Sequence, residues 1–207
     1  MQIIYLHGMG SSPKSGKALF FKKKFHSCQI PFLIPDYNKP DFASLTVSRM
    51  VEQTLSLIRK KEKYILIGSS LGGYAAVHVA ELSPAVKKLV LLAPAFELSK
   101  LSKLTPEEKK EWKKKGYRPY FHYAYEKEVV LHYAFAEDAR LRDKIALERQ
   151  IPCLIFHGFE DDVVPYEVSL RYAQKNTAAE LILLHGDHQL SQFKEAMWQK
   201  IRLFLNL

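Results

Sequence analysis

Gly68-Ser69-Ser70-Leu71-Gly72 sets a serine between two glycines, where an apolar run ends and a helical pattern begins. Strand, tight turn and helix are the context that gives G-x-S-x-G its chemistry. A strained turn lifts the hydroxyl of Ser70 above the sheet, and small flanking residues let the helix pass close to the strand. Ser69 reads as a spectator. A hydroxyl is a weak nucleophile at neutral pH, so it needs a base, and the base needs an acid to orient it. Downstream, "HGFEDDVVP" (157–165) offers Glu160, Asp161 and Asp162, and "HGDHQL" (185–190) offers His185 and His188. The spacing G-x-x-D-x-x-V-P selects Asp161, with Asp162 as the alternative. His188, two residues past Gly186 on a loop into the last helix, is the expected base. His185 is expected on the strand itself, buried and satisfied, and Asp187 is expected to be a loop residue.

Acyl transfer also requires hydrogen-bond donors where negative charge develops, usually two backbone N–H groups. Leu71, which follows the serine, supplies one. The loop "LHGMGSSPKSGKA" after the first apolar run has the H-G-x-G form in His7-Gly8-Met9-Gly10, which points to the N–H of Met9 as the other. His7 is expected to order that loop.

These residues need a scaffold that brings distant pieces of chain to one edge. Short runs rich in Ile, Leu and Val alternate with amphipathic segments, as happens when parallel strands are buried on both faces by crossover helices. Strands are predicted over 2–7, 31–34, 64–68, 87–92, 152–157 and 180–185. Helices are predicted over 15–27, 44–61, 71–82, 166–175 and 190–205, with Ser44 and Ser70 near helix starts. The fold class is α/β: a doubly wound, mainly parallel sheet of about six strands. Three strands end in His-Gly, and open parallel sheets gather their chemistry at the carboxyl ends of strands. The alternation stops between residues 96 and 150, which predicts a helical cap or lid inserted into a core of 1–95 and 151–207. Tyr117, Tyr120, Phe121, Tyr123 and Tyr125 could line its underside, while His122 and His132 read as incidental.

The totals bound the rest. A chain of 207 residues with 47% hydrophobic content fills one full-sized core. No long uncharged apolar run occurs, and the first residues show no basic region with a cleavage site, so a cytoplasmic protein without stable membrane insertion is expected. Cys28 and Cys153 lack metal-site spacing and read as core filler. The net charge of +9 gathers in lysine clusters such as "KKEWKKKGYR", which read as solvated helix faces. Lys14, Lys17 and the lysines of the inserted segment could also favour substrates that carry a carboxylate or phosphate. No nucleic-acid-reading module accompanies the charge, and no nucleic-acid partner is expected. "GMGSSPKSGKA" fails as a phosphate loop, because five residues and not four separate Gly10 from Gly16, and Ala18 stands where a hydroxyl should bind magnesium.

In its first 80 residues the chain resembles the YqiA-like esterases, small members of the α/β-hydrolase superfamily, through "YLHGMGSSPKSGKA" and "IGSSLGGYAA". That resemblance implies Ser70 as nucleophile and His188 as base. "GFEDDVVP" is similar to the wider superfamily's acid turn and implies Asp161. It further implies hydrolysis of small acyl esters or thioesters with no metal or organic cofactor. Two alternatives stay open at this point: a hydrolase-fold protein that binds without turnover, and a triad enzyme acting on amide or carbon–carbon bonds.

Overall fold

A computed structural model describes residues 1–207. In chain order the elements are β1 (Gln2–Leu6), α1 (Gly16–Ser27), β2 (Phe32–Leu33), α2 (Val47–Leu57), β3 (Tyr64–Ser69), α3 (Leu71–Leu82), β4 (Val86–Leu92), α4 (Pro106–Lys115), β5 (Tyr117–His122), β6 (Lys127–His132), α5 (Ala134–Arg142), β7 (Cys153–Gly158), α6 (Glu167–Lys175), β8 (Ala179–Leu184) and α7 (Lys194–Leu205). Six strands form one parallel sheet in the order β2-β1-β3-β4-β7-β8. This is the doubly wound parallel α/β sheet expected of the alternating pattern.

Each strand's side chains alternate between two cores, because successive residues of a strand point to opposite faces. Ile3, Tyr5, Ile67, Val90 and Phe156 pack under α1 and α7. Ile4, Leu6, Leu66, Leu91 and Ile155 pack under α2 and α3 on the other face. With both faces covered, β3 is buried at every position, which is why its sequence reads as an unbroken apolar run and not as alternation. Each such side chain contributes ~1.5–3 kcal/mol by leaving water.

Register and crossovers bring the exits of β1, β3, β7 and β8 to one rim. Close packing there requires glycine at particular points. A Cβ at Gly72 would lie 2.0 Å from the Leu6 carbonyl oxygen, and one at Gly158 would lie 2.2 Å from that of Gly186. The first lets α3 descend directly beside β1, and the second lets the β7 and β8 exits touch.

Several local expectations need correction. Helix α2 starts after Thr46, whose side chain accepts from the Arg49 amide, and not at Ser44, which turns back to donate to Asp41. Cys28 is exposed at the end of α1; only Cys153 is core filler. The 96–150 segment is not wholly helical: β5 and β6 form an antiparallel ribbon between α4 and α5. Pro119 argues against a strand in sequence, but a two-stranded ribbon is all edge, where a residue lacking an N–H is tolerated. A capping box of Thr105 and Glu108 starts α4, and Gly116 in the left-handed region ends it. Trp112, Leu131, Tyr133 and Phe135 of this segment join the same apolar cluster as Leu6 and Leu91. Side chains tie it down further, with Asp138 accepting from the Ser48 amide at 3.0 Å and Asp143 accepting from the Tyr74 hydroxyl at 2.6 Å. No helix is long and apolar enough to cross a membrane.

Candidate active site

Ser70 stands between β3 and α3 with φ 53° and ψ −119°, a backbone conformation strained for any residue with a Cβ. Its backbone is fully used: the amide donates to Leu92, and the carbonyl accepts from Gly73, Tyr74 and Ala95. A serine at this position would ordinarily cap the helix, yet its side chain makes no capping bond. The hydroxyl lies 3.0 Å from Nε2 of His188 instead. Gly8 permits this, since a Cβ there would crowd the Ser70 side chain at 3.3 Å.

His188 lies on the loop after β8. Asp187 shapes that loop by accepting from the amides of Gln189 and Leu190 through Oδ1, and Leu190 turns into the left-handed region while fully buried. The imidazole's Nδ1–H donates to Oδ2 of Asp161 at 2.7 Å, which leaves Nε2 to accept the Ser70 proton. Asp161 is buried and held four ways. Its Oδ1 accepts from the amides of Val163 and Val164 at 2.9 and 2.7 Å, while Oδ2 lies 2.7 Å from His188 and 3.2 Å from His157. Burial alone would raise this carboxyl's pKa. The bonds from His157, His188 and Val164 outweigh burial and hold it well below the usual carboxylate range. Asp162 points away, 80% exposed, with Lys103 at 3.9 Å.

His157, given no role by the sequence reading, contacts the carboxylate of Asp161 from behind. Its Nδ1 accepts from Ser169, and its Nε2–H faces Val164 O at 2.9 Å as well as Asp161. The shared His-Gly ending of β7 was the available signal. His185, expected on β8 and buried, lies just beyond the strand with its side chain 91% exposed. The strand stops at Leu184, so His185 falls on the solvent side of the exit.

The amides of Met9 and Leu71 donate to no group within the protein, so both are free for a ligand. The loop carrying Met9 is held from two sides. His7 accepts from the Tyr37 amide through Nε2, which places its proton on Nδ1, facing the Gly8 carbonyl. Burial keeps this imidazole's pKa below its usual value, in line with the neutral form. From outside, the Ala124 amide donates to Gly10 O at 3.0 Å, and Asn38 Nδ2 donates to Ser11 O at 2.9 Å. Asn38 is held in turn by His122, fully buried, whose Nε2–H donates to Asn38 Oδ1 at 3.0 Å while its Nδ1 accepts from the Tyr125 amide. Sequence reasoning passed over Asn38 and took His122 as incidental. Nothing local marks either residue, because their partners are 27 and 84 positions away.

Ser70 and His188 open onto a cavity of about 380 Å³. Met9, Leu71, Leu98, Leu101, Tyr120 and Tyr123 supply much of its apolar wall. Of the aromatics expected beneath the inserted segment, Tyr120 and Tyr123 reach it, and Tyr117, Phe121 and Tyr125 face solvent. Lys17 lines it too. Lys14 and the α4 lysines do not, whereas Lys194, not singled out in the sequence, does. A somewhat larger cavity of about 410 Å³ beside Tyr74 and His78 shares no residue with the first and holds none of the Ser70 chemistry. No three His, Cys, Asp or Glu side chains gather as metal ligands would.

Comparison with known proteins agrees with this architecture. Residues 2–205 match the model of a family described as an uncharacterised protein family, UPF0227. Human palmitoyl-protein thioesterase ABHD10, mitochondrial, is 31% identical over 209 residues that cover 92% of this chain and 67% of its own. Among solved structures, mouse alpha/beta hydrolase domain-containing protein 10 is 26% identical with a TM-score of 0.84, covering 99% of this chain and 89% of that one. A protein from Agrobacterium vitis S4 is 28% identical with a TM-score of 0.87, covering 98% and 87%.

Proposed function

The chain belongs to the UPF0227 family and has the α/β-hydrolase fold, and from that premise we propose that it is a serine hydrolase cleaving small acyl esters or thioesters through Ser70, His188 and Asp161. The observation that carries the proposal is the unbroken line from Ser70 Oγ to His188 at 3.0 Å and on to Asp161 at 2.7 Å, where Ser70 and His188 line a cavity also lined by Met9 and Leu71, whose amides are free.

In the first step Ser70 Oγ attacks the acyl carbonyl while His188 Nε2 takes its proton. Asp161 keeps the imidazole in the tautomer with the proton on Nδ1 and stabilises the imidazolium that forms. The carbonyl oxygen becomes an oxyanion, met by the N–H groups of Met9 and Leu71. Losing one such donor typically costs ~3–4 kcal/mol of transition-state stabilisation. His188 then protonates the leaving alcohol or thiol, and the acyl group stays on Ser70. Water, deprotonated by the same histidine, attacks the acyl-enzyme and releases the carboxylic acid. The relatives named above include a palmitoyl-protein thioesterase, which favours thioesters beside oxygen esters as substrates. The cavity, about 380 Å³ and partly open to solvent, suits acyl groups of modest length held between Leu98, Leu101 and Tyr120.

Ser70→Ala should lower turnover of p-nitrophenyl butanoate by on the order of 10⁴-fold or more and abolish labelling by a fluorophosphonate probe, with the thermal midpoint little changed. Undiminished turnover in that variant would refute the assignment.

A further inference from the structure

The Ser70 cavity carries an unusual charge pattern. Lys17 and Lys194 are the only lysine or arginine side chains in its wall, and no carboxylate lines it. Asp161 is buried behind His188 and already accepts four contacts, and Asp187, whose pull on Lys17 exceeds that of Asp161, has its Oδ1 occupied by the amides of Gln189 and Leu190. Neither lysine has an ion-pair or hydrogen-bond partner for its ammonium. Lys24, on the same helix as Lys17, is by contrast paired with Glu195 at 2.8 Å. Lys194 finds only the face of Phe20, 5.7 Å from the ring centre.

Both lysines also sit where helix electrostatics oppose them. Lys17 is the second residue of α1, and Lys194 is the first of α7. A cation in a helix's first turn meets the positive end of the macrodipole, where an acidic side chain would be stabilising. Helix α1 has no acid in its first turn to compensate, and the acid in the first turn of α7, Glu195, is engaged by Lys24. Two half-buried cations placed against two dipoles, without partners, break a local rule with no gain in stability, and such departures concentrate at functional sites. An anion in the cavity would restore what the placement loses beyond the partial pull of Asp187 and Asp161 on Lys17.

Resting on the hydrolase reading above, we propose that Lys17 and Lys194 form an anion-binding end of the Ser70 cavity, which selects ester or thioester substrates bearing a carboxylate or phosphate close to the scissile bond. Burial pulls the Lys17 pKa down to about 8, against the opposing pull of Asp187 and Asp161. It therefore stays mostly charged at neutral pH.

The test compares substrates matched in everything but charge. On the acyl side these are p-nitrophenyl pentanoate and the p-nitrophenyl monoester of glutaric acid. On the leaving-group side they are butanoyl-pantetheine and its 4′-phosphate. In wild-type protein at low salt, kcat/KM for the anionic member of at least one pair should exceed that of its neutral partner by about tenfold. The preference should shrink in 0.5 M salt as screening sets in, and the ratio should fall to about one in the Lys17→Met, Lys194→Met double variant. Which pair responds tells whether the anion lies on the acyl or the leaving group. Equal rates within both pairs, or a preference that survives in the double variant, would overturn the anion site while leaving ester hydrolysis standing. Failure of wild type to cleave any of the four overturns the hydrolase reading and the anion site with it. Should the double variant not fold, the salt titration and the Lys17→Gln single variant decide, since an unscreened or unaltered preference is equally fatal.

Discussion

The strand exits and the 96–150 segment meet over the same serine, but they are held there by different physics. At the exits, position is set by backbone: parallel register, a strained turn at Ser70, and glycines such as Gly72 and Gly158 that allow carbonyls to approach where a Cβ could not fit. The segment is set by side chains, through Trp112 and Leu131 in the apolar cluster, Asp138 and Asp143 on α2 and α3, and His122 on Asn38. Residues built into a sheet edge inherit its rigidity. A segment pinned by a few polar contacts depends on each of them, because a buried polar group left unpaired costs ~1–3 kcal/mol.

If that contrast holds, damage at the exits should be chemical and severe, and damage at the pins graded. Asp161→Asn should lower kcat by on the order of 10³–10⁴-fold, because an amide presents no negative charge to the imidazolium and permits the wrong tautomer. Asp162→Asn, one residue along but exposed, should leave the rate within about twofold of wild type, since isolated surface charges contribute little. Steady-state kinetics on p-nitrophenyl butanoate separate the two, and the opposite ranking would move the acid.

A smaller effect is expected where the two regions join. Asn38→Ala removes the bond to Ser11 O and strands His122, loosening the loop that carries Met9 without touching the cavity's apolar wall. Its kcat should fall by about tenfold, a fraction of what outright loss of an oxyanion donor costs, with KM nearly unchanged. His122→Ala should show the same split, and His122→Gln, which retains a donor, should recover part of the rate. A rise in KM with kcat intact would mean that the ribbon shapes substrate binding and does not brace the loop.

The smallest effect is on stability in acid. The Asp161 carboxyl titrates lower in the folded protein than in the unfolded chain, where the value is ~4. The stability it contributes is therefore fully present above the unfolded value and is lost as pH falls through that value toward the folded one. Thermal midpoints measured from pH 6 down to pH 2.5 should decline less steeply in Asp161→Asn than in wild type. Parallel curves would mean that other carboxylates dominate acid unfolding.

The same contrast explains what could be seen beforehand. Six apolar runs, five helices and the short motifs that carry Ser70, Asp161 and His188 are local patterns, each written within one continuous stretch of chain, and strand exits in a parallel sheet converge whatever the intervening chain does. The turn spacing that singles out Asp161, the carboxylate found 2.7 Å from His188, is local in the same way. Asn38, His122, Lys194 and the role of His157 were not, nor was the exposure of His185 and Cys28. Periodicity and turn chemistry, which act between near neighbours, were enough to set the fold and the rim where its strand exits gather. Which side chains brace the loop that carries Met9, and which cations share a cavity wall with Ser70, follow from contacts between residues far apart in the chain, where no short pattern records who the partner will be.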